Sequence, residues 1–138
     1  MDGVKLAGRG TAVDRVELRV PADPAYLAVL RTASAGLAAR MDLTLDEIED
    51  LRIAVDEACA LLLGRAGPVD SGSTDLRAVF ELGDDVLQVS VSGPAESLPP
   101  RSSFAWAVLE ALVGDVETGT DEGRQSIVMR HRRARRDR

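Results

Sequence analysis

The 138-residue chain predicts an α+β fold: a two-layer sandwich with a mainly antiparallel mixed sheet and three helices on one face. Three observations carry that expectation. Apolar and polar residues alternate in several short segments, which is the pattern of half-buried strands. Apolar residues recur at helical spacing in two long segments and one short one. The resulting order is strand, helix, helix, strand, strand, helix, strand, strand, and strands joined by tight turns pair antiparallel.

Val16, Leu18 and Val20 alternate with Glu17 and Arg19, and Pro21 closes this first strand. Asp23-Pro24 then signals a helix start, with a capping side chain ahead of a residue whose missing N–H is harmless at the first position. Leu27, Leu30, Ala33, Leu37 and Met41 carry the helix to about Arg40, and Arg31 falls outside their stripe, exposed. Thr44 and Glu47 form a capping box for the second helix, flanked by the Leu43 and Ile48 staple. Its core face is Ile48, Leu51, Val55, Ala58, Cys59 and Leu62, while Glu57 shares a neighbouring stripe with Ile53, Ala54 and Leu61. Gly64 and Gly67-Pro68 end the helix, and a loop follows through Ser73.

Leu76, Ala78, Phe80 and Leu82 make a second strand, Gly83-Asp84-Asp85 a tight turn, and Leu87, Val89 and Val91 a third strand. A proline- and serine-rich segment leads to a short helix over residues 104–113, capped by Ser102 or Ser103. Residues 116–118 and 126–130 read as the last two strands, joined by the acidic turn 120–123. One domain spans 13–131, between a flexible, glycine-rich N-terminus over 1–12 and a basic tail over 132–138.

The formal charge of −6 conceals an asymmetry: six arginines and one acid fall from Arg130 onward, which leaves −11 on residues 1–129. An acidic body argues against direct nucleic-acid binding, and no aromatic residues interleave the terminal arginines for base stacking. That acidity either attracts a basic partner or keeps the domain soluble. The run from Arg130, holding the lone His131, reads as a terminal strand fraying into a solvated tail. Cys59 is the only cysteine, which excludes an internal disulfide and a zinc cluster, and its neighbours make it a buried small side chain. Nucleophilic catalysis of the Ser/His/Asp or Cys/His kind is excluded, since His131 and Cys59 lie in the tail and the helix. No apolar run approaches the roughly 20 residues of a membrane helix, and the first residues lack a signal pattern, so a cytoplasmic protein is expected.

The placement of Asp56 and Glu57 inside an apolar helical run asks for a reason: the edge of a nucleotide pocket, or a polar stripe beside the core face. The stretch Leu51-Arg52-Ile53-Ala54-Val55-Asp56-Glu57-Ala58-Cys59 is its centre. Together with Ser103-Phe104-Ala105-Trp106-Ala107-Val108-Leu109, Leu112 and Asp115-Val116, it resembles the anti-sigma factors of the GHKL (histidine kinase/Hsp90-like, Bergerat-type) ATPase fold. These are the RsbW-type serine kinases, and the actinobacterial UsfX-like branch is the most similar. The resemblance covers nearly the whole chain, from Val13 to about Arg133.

In active members of that family the second helix carries a glutamate general base and, four residues on, an asparagine that holds magnesium. The matching positions are Glu57 and Leu61, and leucine offers a hard cation no oxygen. The family's adenine-reading aspartate, at the end of the strand after the hairpin, matches Gly93, with Pro94 beside it. The glycine-rich box whose N–H groups face the phosphates matches Ser103 and Ala105, whose β-carbons narrow the approach. The resemblance therefore implies a degenerate nucleotide site with Glu57 as a vestigial general-base position, and no catalytic residue, cofactor or metal is expected. Asp56 reads as a helix-surface acid. Asp84, Asp85, Glu96 and Asp115 are acids that a shifted alignment would bring in, though none has the strand-end context.

Functionally, the resemblance implies sequestration of an alternative sigma factor and release by a STAS-fold anti-anti-sigma protein. This is partner switching without ATP-dependent phosphorylation, by a homodimer when free. Arg31 matches the exposed first-helix arginine that contacts the sigma factor in family members; taken alone, it is an ordinary solvated arginine. The first strand, with Val16, Leu18 and Val20, is the candidate dimer seam, because a strand at a sheet edge invites pairing. Two alternatives stand beside this reading: an active serine/threonine kinase that binds ATP and Mg, and an interaction module of the same fold with a partner other than a sigma factor.

Overall fold

A computed structural model describes residues 14–63 and 75–133. The segment 1–12, the domain start at Val13, Gly64, the Gly67-Pro68 stop with its loop through Ser73, and the tail beyond Arg133 lie outside the described residues. Five strands, β1 (Asp14–Pro21), β2 (Asp75–Leu82), β3 (Val86–Gly93), β4 (Asp115–Asp121) and β5 (Arg124–Arg132), form one sheet in the order β1-β2-β3-β5-β4. All four pairings are antiparallel, so the sheet is antiparallel throughout and not mixed. Short turns join β2 to β3 and β4 to β5, and only antiparallel neighbours accept such turns. Glu122 and Gly123 take the second turn with positive φ, 54° and 78°.

Period-two alternation becomes continuous rows across the strands. Val16, Phe80, Val89, Met129 and Val116 stand opposite one another in turn, as do Leu18, Ala78, Val91 and Ile127. These rows make the sheet side of the hydrophobic core. Against them lie α2 (Leu45–Leu63) and α3 (Phe104–Val113), while α1 (Leu27–Arg40) packs mainly along α2.

The helix ends are set by local chemistry. Asp23 Oδ1 accepts from the Ala25 N–H at 2.9 Å, and the chain tightens into a 3-10 turn, Pro24–Tyr26, before α1 begins. The Thr44 N–H donates to Glu47 Oε1 at 2.8 Å and the Glu47 N–H returns a bond to Thr44 Oγ1 at 3.1 Å, completing the capping box. Ser103 caps α3, and Gly114, with φ 98°, ends it. Three helix residues outside the core stripes read from the sequence, Ser34, Ala38 and Ala54, are buried. Ala54, assigned to the stripe beside the core, is fully buried, because α2 is covered on a wider arc than one stripe. Ser34 is buried on α1 and satisfies its hydroxyl by donating to the Leu30 carbonyl at 2.7 Å.

The end of β5 does not fray at Arg130. Arg130 donates to Gln88, Asp115 and Glu117, and His131 Nε2 lies 3.0 Å from Glu47 Oε2 at the start of α2. Arg133 donates its backbone N–H to the Asp85 carbonyl and its guanidinium to the Met41 carbonyl. The register explains this: His131 pairs with the inward Leu87, so its ring meets the helix layer and not solvent.

Candidate functional site

Helix α2 is the element on which the matching positions converge. Adjacent residues on a helix stand about 100° apart, so Asp56 and Glu57 open onto different flanks. The Glu57 side chain is exposed and makes no hydrogen bond or ion pair among the described residues. One turn on along its flank, Leu61 is half-buried and packs against the core. A leucine there joins the core where an amide would face a cation.

Beyond Leu61 the helix and the end of β3 come into direct contact. A β-carbon on Gly93 would lie 2.9 Å from Leu62 Cβ and from Leu76 Cδ2, and 3.4 Å from the Leu62 carbonyl oxygen. The leucine terminus could swing away, but Leu62 Cβ moves only with α2 itself. Two residues on, the Ala95 N–H donates to that same Leu62 carbonyl at 3.0 Å. The position matching the adenine-reading aspartate is thus occupied by close packing of helix on strand.

The segment 94–103 is fixed along its length. The Gln125 side chain donates to the Glu96 carbonyl at 3.3 Å, Leu98 packs against the core, and buried Trp106 donates its Nε1–H to the Pro99 carbonyl at 3.1 Å. Arg101 sits over the Trp106 ring, 5.0 Å from its centroid, and pairs with Glu110 at 3.0 Å. At the start of α3 the Ser103 hydroxyl accepts from the Ala105 N–H at 3.3 Å, and the Trp106 N–H reaches the Ser103 carbonyl at 3.2 Å. Two first-turn N–H groups, the kind that would face a phosphate at a helix N-terminus, are therefore satisfied within the chain.

The other acids are placed elsewhere. Asp84 and Asp85 are exposed at the β2–β3 turn, Glu96 is exposed, and Asp115 pairs with Arg130 at 3.3 Å. Among the described residues no three His, Cys, Asp or Glu side chains are grouped to hold a metal ion. Cys59 is buried, and its thiol is pushed up to about 12, first by burial and then by the nearby Asp56 charge, so it stays protonated at neutral pH.

On the opposite flank, Asp56 faces α1. Arg31 Nη1 donates to Asp56 Oδ1 at 2.7 Å, so the arginine expected to be free in solvent is half-exposed and ion-paired. The sequence missed this contact because the two residues lie on different helices, and no spacing rule links them. At the sheet edge, β1 holds the outermost place that a pairing strand needs. Its Val16, Leu18 and Val20 side chains turn inward, Val20 into the core and the other two against it. The edge itself presents backbone together with Arg15, Glu17 and Arg19, which pair with one another and with Glu81 and Asp75.

A helix layer on an antiparallel sheet, with a capped α2 facing the end of the hairpin strand, defines the class of the domain. The same fold occurs in the crystal structure of the RsbU and RsbW domains of Rv1364c from Mycobacterium tuberculosis, with a TM-score of 0.68 at 19% identity, covering 91% of this chain and 34% of that one. The family profile described as Histidine kinase-like ATPase domain matches residues 20–131, and the chain belongs to that family, on its RsbW-like side. Among its relatives, the Anti-sigma-F factor RsbW of Mycobacterium tuberculosis is 39% identical over 123 residues, 88% of this chain and 70% of the relative. The Serine-protein kinase RsbW of Bacillus velezensis is 38% identical over 87 residues, 63% of this chain and 54% of the relative, so the chain spans little more than half of that protein. The enzyme of the same name from Bacillus cereus strain Q1 is 28% identical over 139 residues, with 86% and 85% coverage. No described helix is long and apolar enough to cross a membrane.

Proposed function

We propose that this protein is an anti-sigma factor that sequesters an alternative sigma factor by stoichiometric binding. A STAS-fold anti-anti-sigma protein releases the sigma factor by competing for an overlapping surface, without phosphorylation. The name of the Mycobacterium tuberculosis relative, an anti-sigma-F factor, supports this class of partner. The observation that carries the non-kinase half is the contact of Gly93 with Leu62, where a side chain that reads adenine has no room. Leu61, with no oxygen for magnesium, and the self-capped start of α3 point the same way. The residues present do not fit ATP and Mg. On this reading the free protein is a cytoplasmic homodimer paired along β1. With Val16, Leu18 and Val20 turned inward, that seam rests on backbone bonds and outward charges.

Co-expression with each sigma factor of the host, followed by copurification, tests the partner. Calorimetry with ATP and magnesium, and phosphate transfer to a STAS protein, test the mechanism. The expected results are one retained sigma factor, no heat of nucleotide binding and no transfer; micromolar ATP affinity would overturn the mechanism. The rival reading, an active serine kinase, draws on Glu57, which is exposed at the general-base position. Retention of no sigma factor would favour the third reading, an interaction module of this fold with another partner.

A further inference from the structure

Arg31 and Asp56 sit on different helices, and their pairing at 2.7 Å spans the groove between α1 and α2. That bond uses one of the five N–H donors of the guanidinium, and the rest have no partner among the described residues. The two side chains are 34% and 42% exposed, so the pair lies at the surface and is open to an incoming group.

Its surroundings differ from those of a solvated helix. Arg31 is the only charged residue from Pro24 through Ala39, whereas α2 carries seven charges in its 19 residues. Ala28 and Ala35 flank Arg31 by one turn on each side and Ala60 follows Asp56 by one turn, while Arg52, which precedes Asp56 by one turn, is paired with Glu49 at 2.7 Å. A solvent-facing helix side normally bears several charges. On the α1 side one fixed cation rises from small, uncharged neighbours that are easily stripped of water, the arrangement of an anchor in a protein interface.

We propose that Asp56 is a positioning residue. It holds the Arg31 guanidinium across the groove so that the unused donors meet a carboxylate of the partner. Immobilising a long side chain before binding removes part of the ordering cost at the interface. The bond to Asp56 also fixes the plane of the fork, on which bidentate recognition of a carboxylate depends. Asp56 carries a like charge to the partner's acid, so repulsion and preorganisation act with opposite signs. At 2.7 Å from Arg31 the Asp56 charge is largely compensated, and preorganisation prevails. This inference rests on the reading of Arg31 as the sigma-factor contact.

The test uses the full chain in solution against the immobilised host sigma factor retained in the co-expression screen. Arg31→Ala is expected to weaken binding by about 30-fold or more, as an anchor does. Asp56→Ala is expected to weaken it about 5-fold, mainly through faster dissociation, and the double variant to bind no worse than Arg31→Ala alone. The exchanged pair, Arg31→Asp with Asp56→Arg, restores the interhelical ion pair and the thermal midpoint, yet binding stays at the level of Arg31→Ala. Recovery of binding in the exchanged pair would reduce Asp56 to a structural clamp and overturn the proposal. Unchanged or tighter binding by Asp56→Ala, with Arg31→Ala weak, overturns it as well. Full affinity in Arg31→Ala overturns the underlying reading of Arg31 itself.

Discussion

Asp56 and Glu57 are neighbours in sequence, yet the flanks of α2 onto which they open are built in opposite ways. Past Glu57 the helix meets Leu61, the Gly93–Leu62 contact and the strap over residues 94–103, held by apolar packing, backbone bonds and the side chains of Gln125, Trp106 and Arg101. Past Asp56 it meets α1, whose exposed side is small, nearly uncharged and crossed by one ion pair. Beside Glu57 the space is filled by Leu61 and by Leu62 against Gly93, which stabilise the fold. The flank that meets α1 keeps its polar groups at the surface, where a partner can reach them.

The strongest way to break this contrast is to put back the missing carboxylate. Gly93→Asp forces a β-carbon against Leu62 Cβ and buries a charge without a partner, so it is expected to lower stability by about 3–5 kcal/mol in urea unfolding. A loss under about 1 kcal/mol would mean that α2 moves aside easily and the flank is not closed. Leu61→Asn restores the metal-ligand type at a half-buried site. It should cost about 1–2 kcal/mol through lost apolar burial and confer no ATP-magnesium binding in calorimetry, because Gly93 remains closed. Nucleotide binding by this single variant would show the flank to be one residue from open.

Much of this arrangement was legible in the sequence because its causes are local. The capping box at Thr44 and Glu47, the hairpin around Asp84-Asp85 and the short helix after Ser103 each follow from residues within a few positions of one another. The candidate site was half legible. Leu61 and Gly93 could be set against a family pattern, but the 2.9 Å approach of Leu62 to Gly93 joins residues 31 positions apart and has no periodic signature. The same holds for Arg31 with Asp56, for His131 with Glu47, and for the Trp106 bond to Pro99 that fixes the strap. The terminal arginines looked solvated because charge density is visible in a sequence, whereas the partners that order Arg130 and Arg133 arrive only with the fold. Mixed pairing in the sheet was not realised, because both hairpin turns enforce the antiparallel sense and β5 enters between β3 and β4.

Cys59 sharpens the contrast from inside α2. Its thiol is pushed up to about 12 in the folded chain, against an ordinary unfolded value near 8.5. The folded state keeps the proton where the unfolded state gives it up, so this contribution is complete below about pH 8.5 and is lost as pH rises toward 12. Between pH 8 and pH 10 the native chain should lose about 2 kcal/mol more stability than Cys59→Ala, compared by urea unfolding at both pH values. Equal slopes would place Cys59 in contact with water and loosen the packing assigned to this helix.

The smallest effect has the opposite sign and tests the other flank. Gly36 lies in the middle of α1, is exposed, and a β-carbon there would meet nothing within 4 Å. Glycine at such a place loses more backbone entropy than alanine, so Gly36→Ala should raise stability by about 0.5–1 kcal/mol in urea unfolding. No contact among the described residues explains the glycine. It stands about 140° round the helix from Arg31, on the stripe of Val29 and Thr32, whereas Arg31 and Asp56 face the groove beside α2. A partner seated in that groove leaves Gly36 uncovered, and the variant should bind the copurifying sigma factor with unchanged affinity while unfolding later. Weaker binding by a more stable protein would move the interface onto the outer stripe, with a partner backbone passing close over Gly36 and the Arg31–Asp56 pair at its rim.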